Sequence, residues 1–99
     1  MRIISKKILK EFYEDSRYRD SKSSLEAWHS EVLKASWNSP NEIKIKYRSA
    51  SIVGDNRVVF NICGNKYRLI VKINYYAKIV FIRFMGTHRE YDKIDAKEI

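Results

Sequence analysis

A histidine and a tyrosine stand three residues apart in Gly86-Thr87-His88-Arg89-Glu90-Tyr91-Asp92, just after an apolar run whose one interior charge is Arg83. On a helical turn that spacing puts both rings on one side. Upstream, Lys66, Arg68 and Lys72 fall at even spacing in Lys66-Tyr67-Arg68-Leu69-Ile70-Val71-Lys72-Ile73-Asn74. Successive side chains of a strand point to opposite faces. The three cations would then share one face, with Ile70 among them, and Tyr67, Leu69, Val71 and Ile73 would line a core on the other.

An imidazole, a phenol and a cationic strand face suit cleavage of RNA without a metal. One group must take the proton from a ribose 2′-hydroxyl, and another must protonate the departing 5′-oxygen. Cations must stabilise the charge growing on the phosphate between them. Histidine suits proton transfer because its unperturbed pKa is near 6.5. Tyrosine can stack on a base or orient a phosphate, and acts as a base only with a lowered pKa. The plainer readings are a capping or surface histidine and a solvated strand face.

Other chemistries lack their residues. The chain has no Gly-rich phosphate loop, no paired carboxylates and no Cys/His metal spacing. His29 is isolated from any second ligand and reads as structural. Trp28 and Trp37 read as core. Cys63, the one cysteine, cannot form an internal disulfide, which fits a reduced, cytoplasmic setting. No apolar run nears the roughly 18 residues that span a bilayer, and Met1–Lys7 lacks a signal-peptide apolar region.

The elements that would position these residues follow from periodicity. Met1–Ile4 reads as a short strand. Ser5 is expected to cap a helix carrying Ile8, Leu9, Phe12 and Tyr13 on its buried stripe. Ser16–Lys22 breaks the pattern. Ser23 and Glu26 form a capping box for a second helix with Leu25, Trp28, Val32 and Ala35 inward. Ser39-Pro40-Asn41-Glu42 starts one or two helical turns, although Ile43–Tyr47 alternates like a strand. Strands are expected at Ser49–Val53, Arg57–Ile62, the Lys66–Asn74 stretch and Lys78–Met85. Turns fall at Gly54-Asp55-Asn56, Gly64-Asn65 and Tyr75-Tyr76-Ala77. On Lys78–Met85, Val80, Ile82 and Phe84 would face the core and Arg83 the cationic side. Thr87 and Glu90 predict a capped final turn. Segregated helices and strands make the fold class α+β.

With 99 residues, 44% hydrophobic, and no linker or repeat, the chain reads as one domain over 1–99. Twenty basic against 12 acidic residues give a net charge of +8. Such a charge favours an anionic partner: nucleic acid, ribosome, anionic lipid or an acidic protein. A membrane-surface role fits least, because the cations lie on a strand and not opposite an apolar helix face.

Long blocks of the chain resemble the HigB family of toxins, which share the RelE/ParE-like fold. They are Trp37–Pro40, Tyr47–Ser51, Asn56–Ile62, Gly64–Leu69 and Phe81–Asp92. The resemblance implies a RelE-like arrangement: a short N-terminal strand and a helical hairpin packed on an antiparallel sheet, with a short C-terminal helical turn. It implies an endoribonuclease that cleaves mRNA in the ribosomal decoding site and needs no cofactor or metal. It also implies a HigA-type helix-turn-helix antitoxin, and promoter DNA bound through the toxin–antitoxin complex. Carried across, the site would comprise His88, Tyr91, Arg68 and Arg83 as catalytic residues. Lys66, Lys72, Arg48 and Arg57 would bind RNA. Which group is base and which is acid stays open. ParE relatives share the fold but poison DNA gyrase, so a non-enzymatic gyrase poison or a basic nucleic-acid-binding module is the alternative.

Overall fold

The computed structural model describes residues 1–99. Strand β1 (Arg2–Ile4) leads into helix α1 (Lys6–Glu14), a 3-10 segment over Ser16–Ser21, helix α2 (Lys22–Lys34) and helix α3 (Pro40–Lys46). Four strands follow, β2 (Ser51–Val53), β3 (Arg57–Ile62), β4 (Tyr67–Asn74) and β5 (Ile79–Thr87), and then helix α4 (His88–Tyr91). The sheet runs β1-β5-β4-β3-β2. β2 to β5 form the expected antiparallel meander. β1 joins it in parallel beside β5, pairing Arg2 with Ile79, so the sheet is mixed.

The alternation along β4 holds. Tyr67, Leu69, Val71 and Ile73 enter one core with Val58, Phe60 and Ile62 of β3, Val80 and Ile82 of β5, and Leu9, Leu25, Trp28 and Val32 of the helices. Trp28 meets Phe60 edge-on, with ring centroids 5.4 Å apart. Burying each such side chain stabilises the fold by roughly 1.5–3 kcal/mol.

The opposite face differs from expectation. Its middle is apolar and covered: Val59 and Ile70 are buried with Ala96, against Val53, Phe84, Tyr91, Ile94 and Ile99. The stretch after α4 folds back across the sheet to make this second layer. Phe84 lies here and not in the main core. The β4–β5 register slips between Ile70 and Val71, whose partners are Phe84 and Ile82. Arg83 is therefore the extra residue of a β-bulge, which puts Phe84 on the face it would otherwise leave.

Three helix starts also differ. Ser5 adopts a left-handed conformation (φ 74°) and makes no side-chain cap. α2 begins at Lys22, ahead of Ser23, because the polar stretch coils directly into it; the Ser21 hydroxyl donates to the Tyr18 carbonyl at 2.7 Å. Ser39 makes no side-chain cap either, since Glu42 instead accepts from the Asn38 amide at 2.9 Å.

Candidate active site

The last turn of the chain is built as its residues predict. The Thr87 hydroxyl oxygen accepts from the Glu90 amide at 3.2 Å, and the Glu90 carboxylate accepts from the Thr87 amide at 2.9 Å. This reciprocal capping fixes a four-residue helix too short to persist alone. Gly86 supports it from below. A side chain there would meet Phe84 Cζ at 2.5 Å and Glu90 Oε1 at 3.0 Å, so the phenyl ring and the capping carboxylate occupy the space that glycine leaves.

α4 brings two predicted residues together. The rings of His88 and Tyr91 lie edge-on, with centroids 6.5 Å apart. His88 is exposed and its Nδ1 is 3.1 Å from Asp92 Oδ2. That contact orients the imidazole and leaves Nε2 as the ring nitrogen without a partner. Asp92 carries no role in the sequence reading; its spacing of four from His88 was the available signal.

Arg68 joins them. Its guanidinium stands 5.9 Å from the Tyr91 ring centroid, a cation–π distance. The side chain is 8% exposed. It donates to the Asn65 and Tyr67 carbonyls at 3.1 and 3.2 Å and to Asn65 Oδ1 at 3.1 Å. An arginine has five N–H donors, so two are left without a partner in the fold. Arg68 pairs with Gly86 across the strands, which sets it directly before α4.

The remaining cations form separate groups. Arg83 Nε and Arg57 Nη2 both donate to the Ile99 main-chain oxygen, at 3.0 and 3.3 Å. Arg57 also donates to the Asp55 carbonyl at 3.0 Å and is buried. Arg83 precedes His88 by five positions, roughly 16 Å of extended chain. Lys72 is exposed beside Arg83 in a cleft at the far end of β4. Lys66 does not share the strand face with Arg68 and Lys72. It falls in the β3–β4 turn, where Cys63 and Gly64 take positive φ, and it pairs with Asp20. Tyr67 Oη also donates to Asp20, at 2.7 Å. The hydrogen bond from Lys66 and then that from Tyr67 hold the Asp20 carboxyl below its usual range and raise Lys66 in turn. Burial, followed by the bond to Asp20, pushes the Tyr67 phenol up. Arg48 is exposed in the turn before β2, on the side of the sheet away from β5.

The arrangement that converges is therefore His88, Tyr91, Asp92 and Arg68, braced by Asn65, Thr87 and Glu90. It sets an imidazole and a guanidinium each against the Tyr91 ring. No helix is long and apolar enough to cross a membrane.

The HigB toxin family, described as the RelE-like toxic component of a toxin–antitoxin system, matches residues 21–94. That span holds every residue of the converging group. The chain is 30% identical over 94 residues to the mRNA interferase toxin HigB of Escherichia coli K12, covering 93% of this chain and 88% of the relative. The mRNA interferases HigB of Escherichia coli O157:H7 and Shigella flexneri match to the same extent.

Proposed function

The chain belongs to the HigB family of RelE-like toxins of toxin–antitoxin systems, and from that premise we propose that it is an mRNA interferase cutting RNA at His88. The observation that carries this reading is the Arg68 guanidinium 5.9 Å over the Tyr91 ring, with His88 beside it and turned by Asp92. The 2′-oxygen attacks phosphorus, the bond to the 5′-oxygen breaks, and the products are a 2′,3′-cyclic phosphate and a 5′-hydroxyl. Arg68 directs its two free N–H groups at the phosphate oxygens, where charge grows. His88 Nε2 carries one of the two proton transfers. Tyr91 stacks on the base or serves the other transfer. No metal ion enters this scheme.

An exposed centre held by only four residues of helix makes few contacts of its own with RNA. We assign the missing positioning to the ribosome, with mRNA cut in the decoding site. An antitoxin is the family's counterpart. A HigA-type helix-turn-helix protein with acidic side chains would mask these cations, and the complex would bind its promoter. Acting on mRNA under translation, the protein would work in the cytoplasm.

The test is translation of a defined mRNA on purified ribosomes, with 5′-end mapping. Wild type should produce new ends, and His88→Ala should lose about 10²–10⁴ in rate. Arg68→Ala, confirmed folded by circular dichroism, should also be impaired. Free mRNA without ribosomes should stay intact. Cleavage untouched by both substitutions would remove this site, and growth arrest without new ends would favour the gyrase-poison alternative.

A further inference from the structure

The sheet face that carries Arg68 continues, through Ile70, to Lys72. At that far end lies an open cleft of about 480 Å³ between the β2–β3 and β4–β5 turns. Asn56, Lys72, Asn74, Tyr76, Phe81 and Arg83 line it. Its volume is within the range of small-ligand sites.

Three observations give it a ligand class. Arg57, Lys72 and Phe81 are direct cross-strand partners, and Arg83 follows Phe81 by two residues. Like charges opposite one another destabilise a sheet; Arg57 and Arg83 share the Ile99 main-chain oxygen, whereas Lys72 has no side-chain carboxylate within 4.0 Å. An anion would relieve the repulsion. Secondly, Tyr76 is 98% exposed at the tip of the β4–β5 turn, and half-buried Phe81 lines the same cleft. Aromatic faces beside cations are how single strands are held, by base stacking with phosphate contacts. Thirdly, Asn74 Oδ1 accepts from the Ala77 amide at 2.9 Å, which turns its NH₂ group outward as a donor for a base edge.

We propose that this cleft is a second nucleotide subsite for single-stranded RNA, with the base on Tyr76 and Phe81 and its phosphate at Lys72 and Arg83. It rests on the reading of the His88 group as a ribonuclease centre and adds a reach to it. Arg68 and Lys72 stand four positions apart on β4, about 13 Å. A stacked strand advances about 3.4 Å per nucleotide, and it must pass around the layer that covers Ile70, so the subsite would hold a nucleotide at least about four positions from the cut bond.

The test is fluorescence anisotropy with labelled oligouridylates of two to ten nucleotides and the His88→Ala chain, which leaves the RNA uncut. Affinity should step up once the oligomer is long enough to span both sites. Lys72→Ala with Tyr76→Ala, both at exposed positions, should remove at least five-fold of affinity for long oligomers and leave the shortest unchanged. The single-strand log–log salt slope should also fall by about 0.7 for the lost phosphate contact. Equal affinities at every length for parent and double variant would overturn the subsite. So would unchanged RNA affinity with lost antitoxin affinity, which would make the cleft a protein dock. Mapping of 5′ ends on ribosomes separates this from the nuclease reading. Cleavage with no length step sinks the subsite alone, whereas a length step lost in the double variant, without cleavage, sinks the nuclease alone.

Discussion

Gly86→Ala tests how the sheet holds the turn proposed to be catalytic. The added methyl would sit 2.5 Å from Phe84 Cζ and 3.0 Å from Glu90 Oε1. Carbon atoms pack at about 3.5–4.0 Å, so the phenyl ring must retreat by about 1 Å. It is packed against buried Val59, Ile70 and Ala96, and overpacking of this kind costs about 1–3 kcal/mol. Glu90 must also move, and losing its part of the cap costs about 1 kcal/mol more. The sum, about 2–4 kcal/mol, corresponds to a fall in Tm of about 8–30 °C for a domain of this size. Because the displaced groups carry α4, His88 and Tyr91 shift against Arg68, and a misplacement of about 1 Å costs about 10²-fold in rate. Thermal denaturation followed by circular dichroism gives the first number. The second comes from cleavage per folded molecule, at a temperature where the variant is intact. Gly54→Ala is the control, since its methyl would meet only Lys97 Cδ at 3.8 Å and Cε at 3.9 Å. A Gly86→Ala protein with wild-type Tm and rate refutes the packing. One with a lowered Tm but full activity when folded refutes the link from packing to catalysis.

Asp92→Asn should slow cleavage by about ten-fold, short of the loss in His88→Ala, because the imidazole keeps its chemistry and loses only its orientation. Its Tm should hardly change, since both partners are more than half exposed and such pairs contribute about 0–1 kcal/mol; a loss equal to that of His88→Ala would contradict the assigned roles. Asp20→Asn should lower Tm at neutral pH by releasing Lys66 and Tyr67. The Asp20 pKa is depressed below its ordinary 3.8 in the fold. Its stabilisation is therefore complete above that value and is lost as pH falls through the folded pKa. The gap between wild type and Asp20→Asn should close on acidification, and a pH-independent gap in a Tm series would count against the pairing.

What the sequence made legible was local. Alternation placed β3 to the residue, turn chemistry placed the Gly54-Asp55-Asn56 turn, where Asp55 and Asn56 take positive φ, and the Thr87–Glu90 spacing announced the last cap. The family resemblance agrees with the α+β architecture. Features set by tertiary contact were not legible. Nothing in Phe81–Met85 marks Arg83 as a bulge, and a strict period of two then sends Phe84 to the wrong face. Lys66 continues the alternation of β4, but Asp20, 46 residues away, claims it. The polar Ser16–Lys22 stretch coils because Tyr18 stacks on Phe12, with centroids 4.5 Å apart. The stretch after α4 is too mixed in composition to announce that it covers Val59 and Ile70. For the candidate site, residue types pointed to His88, Tyr91 and Arg68 as neighbours. They did not reveal Asp92 or Asn65 as their supports, nor that Arg83 and Lys72 lie apart from them.

The parallel seat of β1 against β5 has a consequence for synthesis. Arg2 emerges first, but its partner Ile79 follows about 77 residues later. At roughly 5–20 residues per second the nascent chain waits about 4–15 s for that pairing, and closing so long a loop is slow to begin. Until then β1 has no strand to pair with, and the strand that leads into His88 has itself not been made. The newborn polypeptide therefore passes most of its elongation with its first strand unseated, and the layer that carries its last turn closes only when β5 appears.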